Sequence, residues 1–148
     1  MRFDLVVNKF AAMAVSKEPL LVFGGSQIRP LLHVDDAANA FVKAVEDRNS
    51  GLFNLGGNNY RISDVARIVS ERTKVTVNIF EELVDPRDYR LDSGLAIDTF
   101  GVKFPHTVEN SIEEIMQFSA GLDWKNPIYN NEVWLRAHLT TGGPSAAR

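Results

Sequence analysis

The chain has no cysteine, so neither a disulfide framework nor thiolate chemistry is open to it. No apolar run approaches the roughly 18 residues that a membrane-crossing helix needs. Met1-Arg2-Phe3-Asp4 leads into no short apolar core and cleavage site, so the cytoplasm is the expected compartment. An excess of positive charge is also missing. The net charge is −3, which argues against a general nucleic-acid-binding surface. His33, His106 and His138 show no metal-ligand spacing, so no metal site is expected. Glycine is paired at Gly24-Gly25, Gly56-Gly57 and Gly142-Gly143, but none of these forms G-x-G-x-x-G. Backbone N–H groups reach a dinucleotide pyrophosphate through such a turn between strand and helix, so this chain should hold no cofactor-binding residues of that kind.

What is present suits one globular domain. The 148 residues are 45% hydrophobic and 24% charged, enough for a real core. Phe3, Val6, Val7, Phe10, Met13 and Ala14 recur at helical spacing, which predicts a helix over 3–15 that Pro19 stops. Leu20–Phe23 is a strand candidate. Leu52–Gly57 reads as a strand entering a glycine turn, with Asn58-Asn59-Tyr60 continuing the loop. Ser63 is placed as the cap of a helix carrying Val65, Ile68 and Val69, and Val75–Phe80 has strand propensity. Ser93 should start a short helix that ends at Phe100-Gly101. Thr107 should cap the last clear helix, with Val108, Ile112, Ile115 and Met116 facing inward.

The stretch Phe23–Asp36 organises the rest. Gly24, Gly25 and Ser26 make a turn, and Arg29 places a cation at its end. Leu31–His33 reads as a short buried strand, and Asp35 and Asp36 stand where a helix N-cap belongs. Arg29 suits either an anionic ligand or a neighbouring carboxylate. A strand histidine such as His33 suits a structural hydrogen bond.

Arg29-Pro30-Leu31-Leu32-His33-Val34-Asp35-Asp36 resembles the R-D-x-x-H-V-x-D segment of the extended short-chain dehydrogenase/reductases, the nucleotide-sugar epimerases and dehydratases. Pro30 departs from it, standing where many members carry Asp. Phe53-Asn54-Leu55-Gly56 is similar to their Y-N-L-G strand. Arg87-Asp88-Tyr89-Arg90-Leu91-Asp92 resembles a second segment, an arginine shortly before Y-x-x-D, with Arg87 the better match than Arg90. The resemblance runs from Arg2 to about Ala120.

That resemblance implies an α+β fold of several short strands and about five helices, the C-terminal part of a Rossmann-type NAD(P)-binding epimerase or dehydratase. Residues 1–122 would be the substrate-binding portion, 123–137 a docking segment with Trp124 and Trp134 as anchors, and 138–148 a disordered tail. Arg29 and Arg87, with Phe23, are the implied substrate-binding residues, the arginines meeting the diphosphate of a nucleotide sugar. Arg87 could instead pair with Asp85 or Asp88. NAD or NADP would belong to a missing N-terminal Rossmann domain, since a helix opening at residue 3 reads like the middle of a longer chain. The family's catalytic Tyr-x-x-x-Lys is absent: Tyr60, Tyr89 and Tyr129 are followed four residues on by Asp64, Ser93 and Val133. No catalytic residue is therefore expected, and the chain alone should be inactive. It should contact neither nucleic acid nor membrane, and should form a homo-oligomer. Two alternatives stand beside this reading. One is a non-enzymatic binding module that kept the fold. The other is an NAD(P)-dependent reductase of an unphosphorylated substrate, in which Arg29 and Arg87 would point away from a common cleft.

Overall fold

The computed structural model describes residues 2–83 and 85–140. In chain order the elements are α1 (Val6–Val15), β1 (Leu20–Phe23), β2 (Ile28–Leu31), α2 (Val34–Glu46), β3 (Asn58–Arg61) and α3 (Ile62–Thr73). There follow β4 (Val77–Phe80), α4 (Gly94–Phe100), α5 (Val108–Ser119), a 3-10 turn at Pro127–Tyr129, and α6 (Asn131–Thr140). The strands form two pairs: β1 runs parallel to β4, and β2 antiparallel to β3. This is the expected mixed fold of short strands and helices. Among the described residues, no helix is long and apolar enough to cross a membrane.

The main core lies where α1, α3 and α5 meet β1. Its fully buried side chains include Leu20, Val22, Val65, Val69 and Ile112. In α1 five consecutive residues, Phe10 to Ala14, are buried, so this helix is covered on more than one side. Its alanines carry no side-chain bulk and let α3 and α5 approach closely. A smaller core of Ala40, Ala96, Phe100 and Val102 joins α2 to α4.

Several elements depart from the sequence expectation, each through a non-local contact. Helix α1 starts at Val6, because Phe3 is drawn off to the C-terminal side. Its N–H donates to the Tyr129 carbonyl (2.9 Å), and its ring meets Trp124 and Tyr129 edge-on. The strand expected at 52–57 has no ladder partner; Asn58–Arg61 forms β3 instead, paired to β2. Arg29 and Pro30 thus sit in a strand rather than a loop. Gly57 (φ 57°) permits the crossing, since a Cβ there would lie 2.2 Å from the Leu31 carbonyl oxygen. Helix α3 begins one residue before Ser63, and the Ser63 N–H donates to Gly25. Ser93 does flank α4, but its hydroxyl accepts from the Gly56 N–H (2.8 Å) rather than capping. Thr107 caps α5 as expected, accepting from the Asn110 N–H.

A sixth helix, α6, crosses the boundary placed between 137 and 138. Trp124 packs against the core and donates to the Ser16 hydroxyl (3.0 Å), whereas Val133, Trp134 and Leu135 on α6 are exposed. The tail assignment beyond residue 140 lies outside the described residues.

Candidate functional site

β2 and the segment 85–92 build one wall of a cleft. Strand pairing opposes Arg29 to Tyr60. The segment is tied across this pair at two points. The Ile28 N–H donates to the Asp88 carboxylate (2.8 Å), and the Tyr89 N–H donates back to the Ile28 carbonyl (3.3 Å). Further on, the Asn59 amide donates to the Leu91 carbonyl and accepts from the Leu91 N–H. Such two-way bonds fix the segment's register, and they carry Arg87 to Arg29.

The two arginines converge on a single carboxylate, Asp85. Arg87 binds it as a fork, Nε to Oδ1 at 2.9 Å and Nη2 to Oδ2 at 2.7 Å. The Arg87 N–H also donates to Oδ1, at 3.0 Å. Arg29 Nη2 reaches the same Oδ2 at 3.1 Å. Arg29 Nη1 donates to the carbonyls of Ile28 and Arg87, and its guanidinium lies 5.3 Å from the centre of the Tyr89 ring. The Arg29 side chain is only 13% exposed, against 75% for Arg87. The Arg87 hydrogen bonds, with Arg29's charge adding to them, hold the Asp85 carboxyl well below the usual carboxylate range.

Phe23 and both arginines line one cleft of about 960 Å3, on whose far side stand α1, His33 and α5. Phe23 rests against Phe80, ring centres 5.7 Å apart. All three residues expected from the sequence therefore face a common space. Both readings of Arg87 meet here: it lines the cleft, and it pairs with Asp85.

A second polar cluster stands at the start of α2. His33, not the aspartates, caps this helix, its Nδ1 accepting from the Asp35 N–H (3.2 Å). Its Nε2 lies 3.1 Å from Glu114 on α5. Asp36 is fully buried and binds His106 twice, at the backbone N–H (3.2 Å) and at Nδ1 (2.6 Å). That bond to Asp36 raises the His106 pKa. The imidazoles stack, centres 4.2 Å apart and 15° from parallel. His33, Asp35 and His106 could be considered as metal ligands, but the geometry does not suit one ion. Their ligand atoms all lie within 4.8 Å of one another, but both imidazoles already have carboxylate partners, His33 with Glu114 and His106 with Asp36. Rings lying parallel also do not converge their in-plane lone pairs.

Among the described residues, neither glycine pair forms a strand-to-helix turn: Gly24-Gly25 links β1 to β2, and Gly56-Gly57 leads into β3. The close neighbours of Gly25 and Gly57 are this chain's own Val22, Ser63 and Leu31, so protein atoms account for these glycines.

The sequence offered Asp85 merely as a possible ion-pair partner for Arg87, and Asp36 as a cap. The Asp85–Arg87 pair is local, but the contact of Asp85 with Arg29 and that of Asp36 with His106 have no local signal. Asp36 and His106 are 70 residues apart, and Arg29 meets the Arg87 carbonyl 58 residues on.

Helices packed on short strands in this order match part of the Rossmann-type fold of solved epimerases and dehydratases. Residues 4–56 match the NAD dependent epimerase/dehydratase family. UDP-glucuronic acid decarboxylase 2 of Arabidopsis thaliana is 36% identical over 76 residues, 50% of this chain and 17% of that protein. UDP-glucuronic acid 4-epimerase from Bacillus cereus, solved with UDP-glucuronic acid and NAD, superimposes with a TM-score of 0.69 at 20% identity, covering 80% of this chain and 40% of that one. dTDP-glucose 4,6-dehydratase from Bacillus anthracis, solved with NAD, has a TM-score of 0.69 at 19% identity over 90% of this chain and 43% of its own. The chain is thus similar in sequence to the epimerase/dehydratase family over residues 4–56 and shares the fold of the solved epimerases and dehydratases. It covers well under half the length of each of these relatives.

Proposed function

We propose that this chain is the substrate-binding portion of an NAD(P)-dependent nucleotide-sugar epimerase or dehydratase, with Arg29 and Arg87 gripping the diphosphate and Phe23 walling the cleft beside them. The observation that carries this is the meeting of two guanidinium groups on one carboxylate oxygen inside the cleft. A position that holds one anion between two planar forks suits a phosphate, whose oxygens can take directed, charge-assisted bonds from both. The convergence also tells against a substrate without phosphates. The relatives' own ligands, UDP-glucuronic acid among them, are of the same class.

On this reading the chain binds and orients substrate. Hydride chemistry comes from NAD or NADP held by a Rossmann domain of the complete enzyme, and the chain by itself is inactive. That domain would cover the apolar residues left open on α2 and at Leu52. The complete enzyme is soluble, cytoplasmic and homo-oligomeric.

Titration calorimetry of the chain with UDP-glucuronic acid tests the proposal. Binding should weaken about tenfold or more in Arg29→Ala and in Arg87→Ala, the loss expected for one hydrogen bond to a charged group. NAD and NADP should give no heat at micromolar concentration. Equal affinity in wild type and both variants would refute the assignment of the arginines, and stoichiometric micromolar NAD binding would refute the division of labour.

A further inference from the structure

We infer that Asp85 is a built-in competitor for the anion site, which any ligand phosphate must displace. The inference rests on the reading of Arg29 and Arg87 as phosphate ligands, and extends it to the residue between them.

The Asp85 carboxylate occupies the donors that a phosphate would need. It takes Nε, Nη2 and the N–H of Arg87, and Nη2 of Arg29. A ligand oxygen cannot share this space with it, because two anions in contact repel strongly in a partly desolvated cleft. An incoming group must therefore replace every one of these bonds. A monoanion with two oxygens only exchanges like for like. A diphosphate brings more charge and more oxygens, and so gains over the carboxylate.

The exchange needs little backbone movement. The bonds that fix the segment to β2 and β3 lie downstream of Asp85, at Asp88, Tyr89 and Leu91. Rotation about the side chain's own bonds takes the carboxylate out toward solvent, where it is already 26% exposed. Asp85 also has a second effect while in place. It keeps the Arg87 fork oriented toward Arg29, so the empty site stays organised for two-armed binding.

The test compares the chain with Asp85→Asn, using pyrophosphate and inorganic phosphate as probes in calorimetry at fixed ionic strength. Asn keeps an oxygen for the Arg87 N–H and removes the charge, and thermal melting shows that the variant folds. Pyrophosphate should bind the variant at least tenfold more tightly than wild type. Inorganic phosphate should gain by a similar factor, since displacing Asp85 costs every ligand the same. Unchanged or weaker pyrophosphate binding in Asp85→Asn, with Arg29→Ala and Arg87→Ala still losing affinity, overturns the inference and leaves the phosphate reading standing. Binding that is indifferent to both arginines overturns the two together. A measurement on the wild-type chain needs no variant. Saturating pyrophosphate should move the 13C carboxyl resonance of Asp85 toward that of a free carboxylate, together with the Arg87 Nε–H signal. An Asp85 resonance that stays in place at saturation overturns the inference.

Discussion

The body formed by α1, α3 and α5 and the layer formed by α2 and α4 are made from similar amphipathic patterns, yet they are finished to different degrees. In the body the apolar faces meet one another, and Leu20, Val65, Val69 and Ile112 are fully buried. In the outer layer a core of Ala40, Ala96, Phe100 and Val102 is all that closes. Phe41 stays 66% exposed, Val45 77% and Leu52 92%. Scattered apolar side chains on a surface need no explanation, but several together on one helix and the segment after it form a patch. A helix with apolar residues on two sides is built to be covered on both. The difference is that the body closes over its own apolar faces, while α2 leaves Phe41, Val42 and Val45 uncovered. The link between the regions is polar as much as apolar: Asp36 with His106, and His33 with Glu114 on α5.

The largest effect should come from the body. Ile112→Ala should cost about 3 kcal/mol in urea unfolding, the middle of the range for a large-to-small change in a closed core. Phe41→Ala on the outer layer should cost under about 0.5 kcal/mol. Similar costs at the two sites would break the contrast.

The link comes next. Asp36→Ala leaves the buried contacts of His106 unmade and should cost about 1–3 kcal/mol. Its pH dependence has a definite sign. The His106 pKa is raised in the fold, chiefly by its bond to Asp36, so the stabilisation is complete below the ordinary histidine pKa. It is lost as pH climbs through the raised value. Unfolding measured from about pH 6 to pH 9 should show stability falling on the alkaline side, and Asp36→Ala should flatten that slope.

A smaller effect concerns association. The open face of α2 should drive self-association of the chain, and Phe41→Ser with Val45→Ser should shift sedimentation toward monomer without lowering the melting temperature. A clean wild-type monomer at high concentration would count against the uncovered face. The smallest effect is expected at Arg67–Glu71, an exposed ion pair one helical turn apart. Glu71→Ala there should change stability by no more than about 0.5 kcal/mol.

Sequence periodicity sufficed for the body, because α1, α3 and α5 bury the stripes that their spacing predicts. Caps were readable where they are local, as at Thr107, and misplaced where a distant group intervened. Helix α3 starts one residue before Ser63, whose N–H bonds the Gly25 carbonyl, and the Ser93 hydroxyl accepts from the Gly56 N–H. β3 could not be read from composition, since Asn58 and Asn59 are poor strand formers. It exists through its pairing with β2 and the bonds from Asn59 to Leu91. Arg29 and Arg87 were reached through resemblance, and Phe23 with them. The approach of Arg29 to Arg87 and Asp85, and the Asp36–His106 contact, depend on long-range closures, 58 residues from Arg29 to Arg87 and 70 from Asp36 to His106, that no local pattern announces.

Hydrogen–deuterium exchange on the chain tests the contrast between the two regions most directly. Core amides of α1, α3 and α5 should exchange only through global unfolding, and those of α2 and α4 through a lesser opening, at least tenfold faster. Equal protection in both regions would contradict the account, because it would mean that the outer layer is complete without a further partner.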